Sequence, residues 1–318
     1  MSFTRIAALV LVTMGIATSA LGQTYPSRPI RILHGFGPGG PTDVNARRLA
    51  APMGKILGQS IVVEARPGAA GAIGTRAAAA SPPDGYTITF GSVIGIHPVF
   101  IKSDFIDMSK EMLPISSVAN AAWFIFSRGD LKVSSLKELV DYAKANPAKL
   151  NFGGTAAATD LFMEMVKKSV GDFPYASVRY RGDEQIMTAL LGGQIDFAAT
   201  GVILMLPHVR AGKMNALFAS EKSSLLPAAP TPADLGLPSM SAANFDMGFW
   251  APLGTPRDII QKLNAAAVET ARMPEIVEYF RGVGYEVIAS SPEEQLRIYN
   301  SQVAFWREAA RLANYQPQ

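Results

Sequence analysis

Ile30-Arg31-Ile32-Leu33-His34-Gly35-Phe36-Gly37-Pro38-Gly39-Gly40-Pro41-Thr42-Asp43 reads as a strand, a glycine-rich turn and the opening of a helix. Apolar residues dominate Ile30–His34, and Val44, Leu49, Met53 and Leu57 then recur at helical spacing on one side. The alternation continues. Ser60–Glu64 is a β-branched strand, Arg66–Ala70 a turn, and the alanine-rich stretch to Ala80 a second helix. Pro82–Gly85 stops it, and Tyr86–Phe90 is a third strand. This β-α-β-α-β order predicts a mostly parallel sheet covered on both faces.

A second unit of the same kind follows an apolar strand at Ala122–Phe126. Ser135 and Glu138 have the spacing of a capping box opening the helix Leu136–Ala145. Leu150–Phe152 is a strand running into the loop Gly153–Thr159, with a helix from Asp160 to Val170. A strand at Val178–Tyr180, a helix at Gln185–Leu191 and a strand within Gln194–Thr200 complete the unit. Proline-rich stretches at Pro227–Pro232 and Leu237-Pro238 mark a return. After the strand Met247–Ala251, Thr255-Pro256 reads as an N-cap with proline at the first helical position. Ser291-Pro292-Glu293-Glu294 opens a last helix, on which Leu296, Tyr299, Val303 and Trp306 form a core stripe.

The 318 residues suit two lobes better than one small core. With 48% hydrophobic and 17% charged residues the chain is globular rather than disordered. The net charge of +3 carries no Lys/Arg-rich run, so no nucleic-acid partner is expected. Arg5, the apolar stretch from Ile6 to Thr18, and the small residues Ala20 and Gly22 form a secretory signal peptide, residues 1–22, cut after Gly22. The apolar run is shorter than the roughly 20 residues of a spanning helix. The mature chain is therefore expected in the periplasm. With no cysteine, lipid anchoring at the cleavage site, disulfides and thiolate metal sites are excluded.

Gly35-Phe36-Gly37-Pro38-Gly39-Gly40 fits the G-x-G-x-x-G string of dinucleotide sites, and Glu64 ends the second strand where a ribose-binding acid would stand. An NAD-dependent oxidoreductase using Gly35–Gly40 is thus the rival reading. The export signal and Pro38, which removes a donor from the loop, argue against it. What remains is a helix N-terminus with free N–H groups, suited to an anion such as a carboxylate. Catalytic signatures are missing: there is no H-E-x-x-H, no G-x-S-x-G and no G-K-[ST] after the glycine loop. The histidines are His34, His97 and His208, and His34 reads as a packed strand-end residue or, less readily, a base.

The chain resembles the Bug family of periplasmic solute receptors, which serve tripartite tricarboxylate transporters. The motifs run almost end to end: Tyr25-Pro26-Ser27-Arg28-Pro29-Ile30, Gly39-Gly40-Pro41-Thr42-Asp43, Val63-Glu64-Ala65-Arg66-Pro67-Gly68-Ala69 and Pro83-Asp84-Gly85-Tyr86-Thr87. Tyr180-Arg181-Gly182, Gly193-Gln194-Ile195-Asp196, Ala211-Gly212-Lys213, Gly236-Leu237-Pro238 and Ala251-Pro252-Leu253-Gly254-Thr255-Pro256 follow in order. The resemblance implies an α/β, two-lobed type II periplasmic binding protein, a Venus flytrap with a two-strand hinge at Ala122–Phe126 and Met247–Ala251. Residues 23–124 and 246–318 would form lobe 1, and residues 125–245 lobe 2. It also implies a receptor rather than an enzyme, with no cofactor and no metal. The ligand would be a small organic acid, the partners membrane transporter subunits or a sensor kinase, and the protein a monomer.

In the family two loops pinch a ligand carboxylate. The first maps to Phe36–Asp43, where the resemblance implies backbone donors near Gly39, Gly40 and Thr42. Asp43 would cap the loop or hold water, unless it is only a first-turn acid, and Phe36 would wall the pocket or pack in the core. The second loop maps to Gly153–Thr159, with Gly154 in the turn and hydroxyls from Thr155 and Thr159. Asp196 would hold the loops together or meet a polar ligand group. The chain departs from the family pattern at three places. Asp160 stands where a His is common, Thr200 where an acid is common, and Asp246 where a Trp is frequent. Asp246 either faces the cleft, favouring a cationic or donor-bearing (amine or amide) ligand, or is a solvated hinge residue.

Overall fold

The computed structural model describes residues 25–92, 99–100, 106–147, 149–155 and 157–316. The expected leader, residues 1–22, and His97 lie outside them, as does Ala156 of the second loop.

Eleven strands fall into two sheets among the described residues. The first orders β11(Glu286–Val287)-β4(Met112–Ala122)-β10(Asn244–Pro252)-β3(Thr87–Gly91)-β1(Ile30–His34)-β2(Ile61–Ala65). The second orders β7(Ala176–Arg179)-β6(Asn151–Gly154)-β8(Phe197–Thr200)-β5(Phe124–Arg128)-β9(Met214–Ala219). The helices of eight residues or more are α1(Pro41–Leu57), α2(Ala72–Ala79), α3(Leu136–Ala145), α4(Ala157–Val170), α5(Asp183–Leu191), α6(Arg257–Ala271), α7(Pro274–Gly282) and α8(Pro292–Leu312).

The sheets are mixed rather than mostly parallel. β1 pairs in parallel with β2 and β3, and β6 with β7 and β8. β10, β4 and β11 add antiparallel strands to the first sheet, and β5 and β9 to the second. The long strand β4 has no clean two-residue alternation, because most of its residues are buried on both faces. The expected strand Ala122–Phe126 is in fact two strands in different sheets, divided at Trp123.

Register fixes how the sheets face each other. Gly91, at the carboxyl end of β3, pairs with Gly248, and Ala122, at the end of β4, pairs with Asn244. In the second sheet Thr200, at the carboxyl end of β8, pairs with Phe124, the first residue of β5. The carboxyl ends of β1 and β3, and of β6 and β8, therefore all point toward the crossover at Trp123. A second crossover begins at Ser220 and is tied to the first. Ser220 N–H donates to the Trp123 carbonyl at 2.8 Å, and Trp123 N–H donates to Ser220 Oγ at 2.9 Å. Aromatic packing braces this waist: Trp123 stacks on Phe162 of α4 and on Phe245 of β10, and meets Trp306 of α8 edge-on. The helix α8 packs on β4 and on α4, so one buried cluster runs from Trp250 and Tyr299 through Trp306 to Phe162 and Phe218.

Several local expectations hold and several shift. Leu49, Met53 and Leu57 are buried on α1, but Val44 is 42% exposed. Ser135 caps α3 by accepting from Glu138 N–H, while the Glu138 carboxylate reaches back to Ser134 N–H and Oγ rather than to Ser135. Thr255 does not cap α6. Its hydroxyl donates to the Pro252 carbonyl, and Pro256 is the N-cap residue. Ser291 does cap α8, accepting from Glu294 N–H at 3.1 Å.

The turn after β1 seats directly on α2. A Cβ on Gly35 would lie 1.9 Å from the Gly71 carbonyl oxygen, and one on Gly74 would lie 2.5 Å from the His34 carbonyl. Both contacts are to backbone, which cannot swing aside. Gly74→Ala should therefore destabilise the protein by about 1–3 kcal/mol in urea unfolding, whereas alanine at Gly37, where a Cβ meets open space, should change little.

Candidate functional site

The loop from β1 to α1 is built around one carboxylate. Asp43 is 4% exposed and lies 2.9 Å from His34 Nε2 through Oδ1. Its Oδ2 accepts from Gly39 N–H at 3.0 Å and from Arg47 Nε at 3.0 Å. His34 Nδ1 accepts from Phe36 N–H, so Nε2 carries the proton and donates to Asp43. Arg47 beside it, with Gly39 N–H and His34, holds the Asp43 carboxyl far below the usual carboxylate range. Asp43 is thus the loop's internal clamp.

This clamp turns two of the expected donors inward. Gly39 N–H is taken by Asp43, and Gly40 N–H donates to the Gly37 carbonyl at 3.2 Å. The first intrahelical bond of α1 is Val44 N–H to the Gly40 carbonyl, and no side chain caps the helix. Pro41 has no N–H, so the donors the helix leaves open are those of Thr42 and Asp43. Phe36 is half-buried, with its ring over the Cα atoms of Gly71 and Gly91.

The second loop leaves β6 at the matching end of the other sheet. Gly154 is buried, and a Cβ there would strike Thr159 Oγ1 at 2.4 Å. Thr159 is 1% exposed and packed inward, whereas Thr155 is partly exposed. Of the two hydroxyls, Thr155 is the one at the open rim. Asp160, at the start of α4, pairs with Arg179 at the end of β7.

Asp196 does not reach the loops. It accepts from Arg128 Nε at 2.9 Å and from Asn151 N–H at 2.7 Å, at the amino end of β6. Three residues of strand, about 10 Å, separate that end from Gly154. Asp246 is neither solvated nor open to the cleft. It is 7% exposed, accepts from Ser117 Oγ and stands opposite Asn120 on β4. Burial pushes its carboxyl up to about 7. Glu221, just past the second crossover, accepts from Asn120 Nδ2 at 2.6 Å and is also pushed up to about 7, chiefly by burial.

Sequence reasoning missed two features. One is the His34–Asp43 pairing, for which the nine-residue separation across a turn gave only a weak signal. The other is Asp183, which opens α5 at the carboxyl end of the second sheet. Glu64, the residue a dinucleotide would need, receives a two-pronged ion pair from Arg31 at 2.7 and 2.8 Å. A surface depression of about 810 Å³ between α1 and β2 is lined by no residue of either loop.

Two α/β sheets joined at a doubly crossed waist, with loops at facing carboxyl ends, define a two-lobed solute-binding protein of the periplasmic type. The family model described as "Tripartite tricarboxylate transporter family receptor" matches residues 45–313, and the chain belongs to that family. It is 31% identical to the protein BugT of Bordetella pertussis over 325 residues, covering 98% of each chain. A UPF0065 protein of the same organism is 33% identical over 320 residues, covering 99% of this chain and 98% of the relative. Among solved structures, the periplasmic binding protein BugD is 30% identical with a TM-score of 0.66, covering 92% of this chain and all of its own. An R. palustris protein with adipate is 27% identical with a TM-score of 0.69, at 92% and 100% coverage. No helix among the described residues is long and apolar enough to cross a membrane.

The buried carboxyls at the waist set a pH dependence. Asp246 and Glu221 bind protons more tightly folded than unfolded, so their contribution is fully present below the unfolded carboxyl range and is lost as pH rises through about 7. The thermal midpoint should fall between about pH 5 and about pH 8, and Asp246→Asn should flatten that slope. A scanning calorimetry series across this range, on both proteins, checks it.

Proposed function

We propose that this chain is a periplasmic receptor that captures a small organic carboxylate between its two lobes and presents it to the membrane subunits of a tripartite tricarboxylate transporter. Residues 1–22 direct export, residues 23–124 and 246–318 form lobe 1, and residues 125–245 form lobe 2. The protein performs no chemistry, needs no cofactor and acts as a monomer.

The observation that carries this reading is the uncapped N-terminus of α1. Its open N–H groups at Thr42 and Asp43 lie at the carboxyl end of the first sheet, on the side of the crossover where the Gly154-Thr155 turn ends β6. Open N–H groups and the positive end of the helix dipole suit a carboxylate. The Asp43 clamp fixes the loop before the ligand arrives, which limits the ordering cost of binding. The similar R. palustris protein was solved with adipate, and MatC from Rhodopseudomonas palustris, 25% identical with a TM-score of 0.65, with bound malate. Ligand contacts from both lobes favour the closed state, and that population shift is what a membrane partner reads.

A thermal-shift screen of the chain beginning at Gln23, against di- and tricarboxylates, aromatic acids, amino acids and NAD, tests the reading. A ligand at about 100 times its Kd adds roughly 2.7 kcal/mol. A carboxylate among the hits is the expected outcome, and a response to NAD alone would overturn it. Thr155→Ala should weaken the responding carboxylate about five-fold, the loss of roughly one hydrogen bond, with an unchanged circular dichroism spectrum. An unaltered affinity would remove Thr155 from the site.

A further inference from the structure

β2 is the outer strand of the first sheet, paired with β1 alone among the described residues. Its parallel ladder begins where Ile30 N–H donates to the Ser60 carbonyl and ends where Arg66 N–H donates to the His34 carbonyl. The even-numbered residues of the strand therefore bond inward, and the N–H and C=O groups of Ile61, Val63 and Ala65 face outward. One side chain reports the same direction. Arg47 Nη2 donates to the Val63 carbonyl at 3.4 Å, while its Nε holds Asp43. The outward edge is one wall of the depression of about 810 Å³ whose other wall is α1.

The charge along this edge has one sign. Arg47 and Lys55 line the depression, and no acid does. Lys55 is exposed and makes no ion pair among the described residues. Asp43 takes part of the Arg47 charge from inside the first loop. Strand alternation puts Val62 and Glu64 on the opposite face, where Val62 is 47% exposed and Glu64 is neutralised by Arg31. Sheet edges are commonly guarded by charge against chance pairing. Guards of a single sign are selective. A second copy of this chain laid along β2 would set cations against cations, which destabilises a strand pair, whereas an acidic strand gains in the same place. An anionic lipid surface would meet the cations but has no peptide ladder for the edge.

We propose that the groove between α1 and β2 is a protein-docking surface that takes an extended, acidic segment of a partner chain as an added strand. The backbone of that segment bonds the outward N–H and C=O groups of Ile61, Val63 and Ala65. Its acidic side chains, at every second position, face Arg47 and Lys55, and the apolar side chains between them cover Val62. Arg47 Nη2 exchanges the Val63 carbonyl for a carboxylate, a stronger acceptor. The groove lies outside both loops, so the inference holds whichever solute the cleft takes.

The test is titration of the chain beginning at Gln23 with a capped hexapeptide alternating valine and glutamate, read by calorimetry and by amide hydrogen exchange. Saturable binding is expected, about ten-fold or more tighter than for the same peptide with lysine in place of glutamate. At saturation, exchange should slow about ten-fold or more at Ile61, Val63 and Ala65, while Val62 and Glu64, already in the ladder, stay unchanged. Lys55→Glu should weaken the glutamate peptide about five-fold with an unaltered circular dichroism spectrum. Of the two alternate sets of peptide N–H groups, N-methylation of one should abolish binding, because it removes the ladder donors and leaves the charge. Absence of saturable binding, equal affinity for the lysine peptide, indifference to Lys55→Glu, or binding that survives both N-methylations overturns the proposal. Protection without the alternation along β2 marks charge contact with no added strand and overturns it too. Capture by phosphatidylglycerol vesicles with the peptide silent would assign the patch to lipid instead.

Discussion

One residue, Trp123, separates the last pair of the first sheet from the first pair of the second. Ala122 is held by Asn244, and Phe124 by both Thr200 and Ala219. The return crossing at Ser220 is bonded to the same residue in both directions. With both chain passages pinned at one waist, the sheets can face each other only by the ends nearest it. Strand direction does the rest, because parallel β-α units deliver their loops to the carboxyl ends, and those are the ends that meet. The aromatic stack around Trp123 and the packing of α8 on both β4 and α4 brace the waist on one side.

The first loop shows how a binding surface is prepared from within. Asp43 is conspicuous in sequence as an acid in the first turn of a helix that follows a glycine-rich loop. In the structure its charge is spent on His34, Arg47 and Gly39. Those bonds fold the glycine turn back on itself, and Gly35 and Gly74 allow it to press on α2 without a side chain between. The N–H groups left open at the head of α1 are consequently fewer than the glycine count suggests, because Gly39 and Gly40 spend theirs within the turn.

The waist also holds polar groups at some energetic cost. Ser117, Asn120, Asp246 and Glu221 gather where β4 and β10 lead into the crossovers, and two of the four carry carboxyls raised by burial. Apolar residues there would pack more stably. Hydrogen-bonding side chains instead fix the register of β10 on β4, which is irregular at Met247/Gly248, and so fix the direction in which the chain leaves the sheet.

By itself, the sequence determined the local pieces. Strand, turn and helix at Ile30–Leu57 were legible because hydrophobic spacing and glycine placement act over a few residues. The caps at Ser135 and Ser291, and the last helix's stripe of Tyr299, Val303 and Trp306, were legible for the same reason. The two-lobed α/β class followed from the order of those pieces and the chain-long motifs. Tertiary structure decided what depends on neighbours distant in sequence. It divided Ala122–Phe126 between two sheets, since strand pairing is chosen by partners that no local pattern names. It turned Gly39, Gly40 and Thr159 inward, buried Asp246, and sent Asp196 to the far end of its sheet. The identity of a residue states which bonds it can make, and only the packed fold settles which partner is within 3 Å to make them.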